Sequence, residues 1–469
     1  MSIGYLLLTA ARWAVRLWAL YFVPRRRSPN AARAWLLLIL LEPFGGVILY
    51  SIFGRAYLPR VRRERQKEAS GIIRSTPAVA GLPTEVDVRP ELRSTASLAQ
   101  QLGDFPVVGG NHAEILDDYT GFVDRLVEDV DRARTSVHLL FYIFEPDATG
   151  TRVADALVRA AGRGVTCRVM ADGLASAPAL RRLAPRLREA GVEFLSLLPP
   201  GMRGARRDLR NHRKIAVVDG LVAYTGSQNL VDAYDYKGRG LTYEDLMVRL
   251  TGPVVRQLQA IFLTDRFMET GERFAEESHF PPVTAAGTVL AQALPSGPTY
   301  HVENNQRTFV QLLYGARERV VVTSPYFVPD EPFLEAMQAA ASRGLDVRLI
   351  TPRQPDQMLV RLAQESFYEG LLRAGVKIHL YRPRFLHAKH ISVDDDFAAI
   401  GSSNIDLRSF TLNEEDMVFL YDRDTCAALA RVQERYVRDS DPLTRERWDA
   451  RPRHRQAAQR LARMVDSLL

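Results

Sequence analysis

One polar pattern, His-x-Lys-x4-Asp-x6-Gly-Ser-x-Asn, occurs twice in this chain with identical spacing. His212, Lys214, Asp219, Gly226, Ser227 and Asn229 carry the first copy. His387, Lys389, Asp394, Gly401, Ser402 and Asn404 carry the second, 175 residues further on. An apolar run follows each histidine, Ile215 to Val218 and Ile391 to Val393, and reads as a buried strand. Side chains alternate along a strand, so each copy offers an imidazole and an ammonium to the same side. Two such half-sites facing each other would surround one anion with two His, two Lys and two Asn. That set suits a phosphodiester. Lys and Asn neutralise or bond its non-bridging oxygens, one His attacks phosphorus, and the other protonates the leaving oxygen. The serines can hydrogen-bond oxygen, and the glycines let backbone approach closely. A core built only for packing has no reason to repeat polar residues at fixed offsets. No Cys/His or carboxylate pattern has metal-ligand spacing, so the expected chemistry uses no metal and no cofactor.

These residues resemble the signature of the phospholipase D superfamily. The resemblance implies two similar α/β halves that form one active site, and a phosphohistidine intermediate. It implies that His212, the amino-terminal histidine, is the nucleophile and His387 the general acid and base. It also implies a Glu after each motif that orients the histidine. Glu415 is that residue in the second half, and Glu244 is its counterpart in the first once four extra residues are allowed. Asp219 and Asp394 stand just past a strand, where Asp commonly bonds local backbone; they are expected to support the site's geometry rather than carry protons.

The elements that must position these groups follow from the rest of the chain. In the first half, Ser136 to Phe144, Val165 to Met170 and Gly191 to Leu195 read as strands, after a helix over about 114–134. The second half repeats the order. Tyr326-Phe327-Val328-Pro329-Asp330 parallels Tyr142-Ile143-Phe144-Glu145-Pro146-Asp147, and Gly375-Val376 parallels Gly191-Val192. Strands alternating with helices argue for an α/β fold. The halves are assigned to 111–280 and 281–440, and 58–110 reads as a basic, polar linker.

Two apolar segments, 3–23 and 34–54, open the chain, and residues 1–57 are read as a membrane anchor in the form of a transmembrane helical hairpin. In that hairpin Arg16 comes level with residue 41, beside Glu42, and pairing would relieve both charges; the alternative is an interfacial helix over 3–23 whose Arg12 and Arg16 face head groups. Arginines flank the segments, and the anchor with its basic flank resembles the amino-terminal region of bacterial cardiolipin synthases. The tail, 441–469, is basic with an apolar face formed by Ala457, Leu461, Met464, Val465 and Leu468; it suits either an anionic membrane or its own domain.

Of the residues, 46% are hydrophobic and 25% charged, which excludes a largely disordered chain, and the net charge of +7 suits an anionic partner. Cys167 and Cys426 read as small buried residues. The family resemblance implies a transferase that joins two phosphatidylglycerols into cardiolipin and releases glycerol. Its partner is an anionic phospholipid membrane, the bacterial inner membrane, with the catalytic part in the cytoplasm. A phospholipase D hydrolase and a transferase using another acceptor share the same residues. A nuclease of the superfamily is disfavoured because the anchor serves it no evident purpose, so no nucleic acid is expected.

Overall fold

The computed structural model describes residues 2–25, 29–54, 58–76, 79, 84, 87–199, 208–234, 238, 240–274, 279–300, 302–354 and 356–463. Its first-half strands are β1 (Val108–Leu116), β2 (Ser136–Phe141), β3 (Thr166–Asp172), β4 (Glu193–Leu197), β5 (Lys214–Val218), β6 (Val222–Gly226) and β7 (Met247–Thr251). The second half supplies β8 (Val289–Ser296), β9 (Arg319–Thr323), β10 (Asp346–Pro352), β11 (Lys377–Tyr381), β12 (His390–Val393), β13 (Phe397–Gly401), β14 (Asn413–Tyr421) and β15 (Ser440–Leu443). Among the described residues fifteen strands of one sheet follow the order β15-β11-β10-β9-β12-β13-β14-β8-β1-β7-β6-β5-β2-β3-β4, and a sixteenth, Arg210–Asn211, pairs with β14 off this path. Read outward from the β8–β1 seam, both sides have the same order of equivalent strands, so the sequence repeat is a pseudo-twofold in space. Within each half β2-β3-β4 and β9-β10-β11 pair in parallel, joined through crossovers, while the motif strands add antiparallel.

Both faces of the sheet are covered, and the motif strands β5, β12 and β13 are buried throughout, which explains their unbroken apolar runs. Tyr119–Arg132 and Ala148–Gly162 pack on one face of the first half around Phe122, Leu126, Val137 and Leu157. The opposite face belongs to a core shared by the two halves. There Val254–Thr270 brings Leu258 and Ile261 against Leu140 and Ile215, and Arg423–Arg438 brings Leu429 near Ile400 and Val418.

Three stretches differ from the sequence reading. Residues 60–105 are not a bare linker: Arg60–Ser75 and Pro90–Gly103 are helices. Their polar composition hides a narrow buried stripe of Ala69 and Ile73 in the one and Leu92, Ala96 and Ala99 in the other. Arg62 reaches Glu269 at 2.8 Å and Arg65 caps the carbonyl of Met268 at 2.6 Å, docking the first helix on Val254–Thr270. Residues 114–116 belong to β1, and the following helix starts only at Tyr119, where Asp118 caps it.

In the anchor, Ile3–Phe22 is the one helix among the described residues long and apolar enough to cross a membrane. The stretch 34–54 is not a continuous helix. Pro29–Leu41 ends before Glu42-Pro43, Pro43–Leu49 follows, and Tyr50–Gly54 is a π-helical turn. Proline has no N–H and its ring crowds the preceding turn, so the break falls where Pro43 stands. These pieces still pack on Ile3–Phe22 through Ala19, Val23, Trp35, Ile39 and Tyr50. Arg16 does not pair with Glu42: its Nε donates to the carbonyl of Leu40 at 3.1 Å, one of the groups left open at the helix break. At the other terminus Arg453–Arg463 packs on Met358–Ala374, where Arg455 and Gln459 both hold Glu365 at 2.7 Å. Of the tail's apolar face, Met464, Val465 and Leu468 lie outside the described residues.

Candidate active site

Each histidine stands where a strand enters the sheet, and each is fixed by the other half of the molecule. Arg210–Asn211 pairs in parallel with the start of β14, with Glu414 opposite Asn211, and His212 N–H donates to the carbonyl of Glu414 at 2.8 Å. Phe385–Leu386 pairs in the same way with Tyr243–Glu244, and His387 N–H donates to the carbonyl of Glu244 at 2.7 Å. These two short ladders cross between the halves. They bring His212 and His387 into the wall of one pocket of about 360 Å³, together with Tyr142, Tyr326, Asn229 and Asn404.

The ladders also set the proton positions. His212 Nδ1 lies 2.9 Å from Glu415 Oε2, and His387 Nδ1 lies 2.7 Å from Asp245 Oδ1. A carboxylate at Nδ1 fixes the proton there and leaves Nε2 as the reactive nitrogen. Glu415 thus orients the histidine of the opposite motif. Glu244 does not do the same: its side chain turns to Arg384 at 3.0 Å, and Asp245 takes the orienting position. The pentads Glu244-Asp245-Leu246-Met247-Val248 and Glu414-Glu415-Asp416-Met417-Val418 show why. Met247 pairs with Gly226 and Met417 with Gly401, so position by position Asp245 answers to Glu415 and the insertion is five residues long.

Burial lowers both imidazoles to about 4, against the opposing pull of Glu415 on His212 and Asp245 on His387. Burial would raise the two carboxyls, but the imidazoles outweigh it and hold both below the usual carboxylate range. Lys214 and Lys389 are fully enclosed, each donating to the carbonyl of its own histidine, at 2.5 and 2.6 Å. Burial brings Lys214 down to about 8 and Lys389 to about 7, and the Lys214 ammonium adds to the fall at Lys389. Glu415 and Asp245 balance the two ammonium groups, and an anion bound beside them would favour the charged forms of both lysines and both imidazoles.

The remaining motif residues divide into two groups. Asn229 and Asn404 line the pocket. Asn229 Oδ1 accepts from Ile143 N–H at 3.0 Å, so it presents its NH₂ group to a ligand. Ser227 and Ser402 do not line it; they brace the carboxylate strands. Ser402 Oγ donates to Glu415 at 2.6 Å and accepts from Asp416 N–H at 2.9 Å, and Ser227 Oγ accepts from Leu246 N–H at 3.0 Å. A Cβ at Gly401 would meet the Asp416 carbonyl at 2.2 Å, and one at Gly226 the Leu246 carbonyl at 2.4 Å, so only glycine admits these close passes. Asp219 and Asp394 stand away from the pocket in left-handed turns, at φ 53° and 52°. Asp219 accepts from the N–H groups of Arg134, Thr135 and Ser136, and Asp394 from those of Arg317, Glu318 and Arg319. Each ties its motif hairpin to the start of the neighbouring strand.

Motif reading passed over several site residues. Tyr142 lies 4.7 Å from the His212 ring and 5.3 Å from the Lys214 ammonium, and Tyr326 lies across the pocket. Their signal was the pair of repeat segments that run from Tyr142 to Pro146-Asp147 and from Tyr326 to Pro329-Asp330. Arg213 fills the space behind His212, paired with Asp265 and, at 3.2 Å, with Glu414. It has no counterpart in the second motif, where Ala388 stands.

Comparison with known proteins agrees with this geometry. A family model described as "Cardiolipin synthase, PLD-like domain" matches residues 126–266 and 309–437, and one described as "Phospholipase_D-nuclease N-terminal" matches 14–55. Cardiolipin synthase A of Yersinia pseudotuberculosis serotype O:1b (strain IP 31758) is 34% identical over 464 residues, covering 95% of this chain and 94% of that protein. Cardiolipin synthase A of Proteus mirabilis (strain HI4320) is 34% identical over 466 residues with the same coverage. Among solved structures, phosphatidylserine synthase from Haemophilus influenzae Rd KW20 superposes with a TM-score of 0.62 at 16% identity, over 80% of this chain and all of that one, which is a likeness of fold.

Proposed function

The chain belongs to the family of phospholipase D-like cardiolipin synthases, and on that premise we propose that it transfers a phosphatidyl group from one phosphatidylglycerol to another. The observation that carries the reading is the crossed pair of imidazoles in one pocket, each with Nδ1 on a carboxylate of the opposite half.

His212 Nε2 attacks the donor phosphorus. A P–N bond forms, the P–O bond to the glycerol head group breaks, and His387, protonated at Nε2, gives its proton to the departing oxygen. The hydroxyl of a second phosphatidylglycerol then loses its proton to His387 as its oxygen attacks phosphorus. The P–N bond breaks and cardiolipin forms. Lys214 and Lys389 neutralise the non-bridging oxygens, and Asn229 and Asn404 donate to them. Burial by itself keeps His387 neutral. A bound phosphate supplies the negative charge that favours its protonated form, so the acid is created by substrate. Glu415 and Asp245 stabilise positive charge on their imidazoles in the two steps. Ser227 and Ser402 hold the carboxylate strands, and Asp219 and Asp394 hold the motif hairpins. Glu244 has no part in the chemistry.

The halves divide near the Phe280-Pro281-Pro282 segment, and Ile3–Phe22 anchors the enzyme in the inner membrane with the catalytic part cytoplasmic. The test is product analysis after labelled phosphatidylglycerol is supplied in vesicles. Cardiolipin and free glycerol in equal amounts are expected, and added glycerol should drive the reaction back. Phosphatidic acid as the sole lipid product, at every lipid concentration, would replace the transferase by a hydrolase.

A further inference from the structure

The pocket of about 360 Å³ lies near the lower end of the range, about 300–1,000 Å³, that encloses a drug-sized molecule. It has room for a glycerophosphoglycerol head group and none for long acyl chains. If the substrate is a diacyl lipid, the chains stay in the bilayer while phosphorus reaches the histidines. The mouth must then meet the membrane, and its rim carries the residues for that.

Large apolar side chains stand exposed on segments of both halves that adjoin the site. Gln357 and Val360 line the pocket, and the intervening Met358 and Leu359, in the first turn of Met358–Ala374, are 67% and 48% exposed. Tyr326 Oη donates to Asp356 at 2.8 Å, which fixes this turn to the pocket wall. On the first-half side Leu174 is 52% exposed. It follows Asp172, whose carboxylate accepts from the backbone N–H of Asn211, next to His212, at 3.2 Å. Tyr234, 67% exposed, neighbours Ala233, whose carbonyl accepts from Tyr243 N–H at 2.8 Å; the Tyr243 ring in turn packs on His387.

A second observation ties the anchor to the same rim. Leu58 is buried with Leu198 and Leu209, against Leu412. Leu209 precedes Arg210 and Leu412 precedes Asn413, and both followers line the pocket. Leu198 follows Leu197, whose carbonyl accepts from Gly173 beside Leu174 at 2.7 Å. The last described residue of the anchor, Gly54, is four residues before Leu58, a reach of at most about 14 Å. The anchor helix Ile3–Phe22 has 20 residues, about 30 Å of rise, the thickness of a bilayer's hydrocarbon core. The chain therefore leaves the anchor and pins itself directly beside the active-site mouth.

We propose that the mouth is a membrane-docking face: Leu58 ties it to the anchor's exit, and Met358, Leu359, Leu174 and Tyr234 enter the phospholipid interface around the opening. The proposal rests on the phosphatidyltransfer reading for its substrate, but its occupant, a lipid bilayer, is tested separately. An environment-sensitive fluorophore is attached to Leu359→Cys in the full chain reconstituted in phosphatidylglycerol/phosphatidylethanolamine vesicles. Cys167 and Cys426 are buried and leave the new thiol as the reactive one. The label should shift to the blue on reconstitution and be quenched by brominated acyl chains.

In parallel, Met358→Glu/Leu359→Glu is assayed on vesicle phosphatidylglycerol and on monomeric dihexanoyl-phosphatidylglycerol. A more than tenfold loss on vesicles with less than twofold loss on the monomer supports docking. Equal losses on both substrates, or none on vesicles, overturn it, as does a label that stays in water. A label already shielded in a lipid-free, oligomeric preparation also overturns it, with a second copy as the occupant. If the wild type turns over neither substrate, the functional reading fails and the label alone decides the docking.

Discussion

Replacing Asp245 by Asn leaves the shape of the site and removes one charge 2.7 Å from His387 Nδ1. The amide no longer dictates which nitrogen carries the proton, and it no longer stabilises the imidazolium that protonates the leaving glycerol. Two unit charges about 4 Å apart attract by about 4 kcal/mol at an effective dielectric of 20. That corresponds to a loss of about 10³ in rate. In a serine protease triad the same change at the carboxylate behind the histidine costs about 10⁴ in kcat. We expect a loss between these limits, measured as cardiolipin formed from labelled phosphatidylglycerol in vesicles, with the melting temperature checked alongside. Glu244→Gln is the matched control. Its side chain is buried, bonded to Arg384 at 3.0 Å and 3.7 Å from Arg435, and touches neither histidine, so its loss should lower stability and leave turnover in place. What His387 takes from residue 244 is the backbone carbonyl, which the substitution keeps.

The crossed wiring adds a sharper distinction. A phosphatidyl ester of p-nitrophenol leaves without needing a proton. In Asp245→Asn the first burst of nitrophenol should approach the wild-type rate while later turnover stays slow, because the acceptor still needs His387 as base. In Glu415→Gln the burst itself should slow, because His212 loses the carboxylate that supports its attack. The opposite pattern would reverse the roles of the two histidines. A Glu244→Gln variant as damaged as Asp245→Asn would refute the assignment of the orienting carboxylate.

Three further outcomes follow. Lys214→Met and Lys389→Met should each lower turnover by several orders of magnitude without unfolding the chain, and activity should persist in a chelator; rescue of chelated enzyme by a divalent ion would contradict this. The buried lysines, brought down to about 8 and 7, must be ammonium to bind phosphate, so kcat/KM should fall as pH rises through 7 to 8. It should fall at the acid end as His212, near 4, becomes protonated. Lys389→Arg, which cannot lose its proton in this range, should keep reduced activity and flatten the alkaline limb. Asp219→Ala removes a charged acceptor from three backbone N–H groups, and should destabilise the fold by roughly 2–3 kcal/mol in urea titrations. Asp219→Asn, which tolerates φ near 53° and can still accept, should cost less than about 1 kcal/mol. A turnover defect without a stability change at Asp219 would place it in the chemistry instead.

The repeated His-x-Lys pattern was legible in the sequence because chemistry fixes residue type and spacing within a single turn and strand. The alternation of apolar strands and helices was legible for a similar reason: burial on both faces leaves a local composition. The pentads around Met247 and Met417 even contained the match of Asp245 to Glu415, but gap counting from the histidine misplaced it by one residue. Along a strand a one-residue shift turns a side chain to the opposite face, so only the pairing of Met247 with Gly226 decided between Glu244 and Asp245. Three features needed the tertiary structure, because each depends on contacts between residues far apart in the chain. These are the crossing of the ladders that gives each histidine a carboxylate from the other half, the docking of the helices within 60–103, and the seat of Leu58 beside the pocket. Their local composition is that of any polar linker or surface helix, and their stabilisation comes from surfaces that exist only once both halves have folded together.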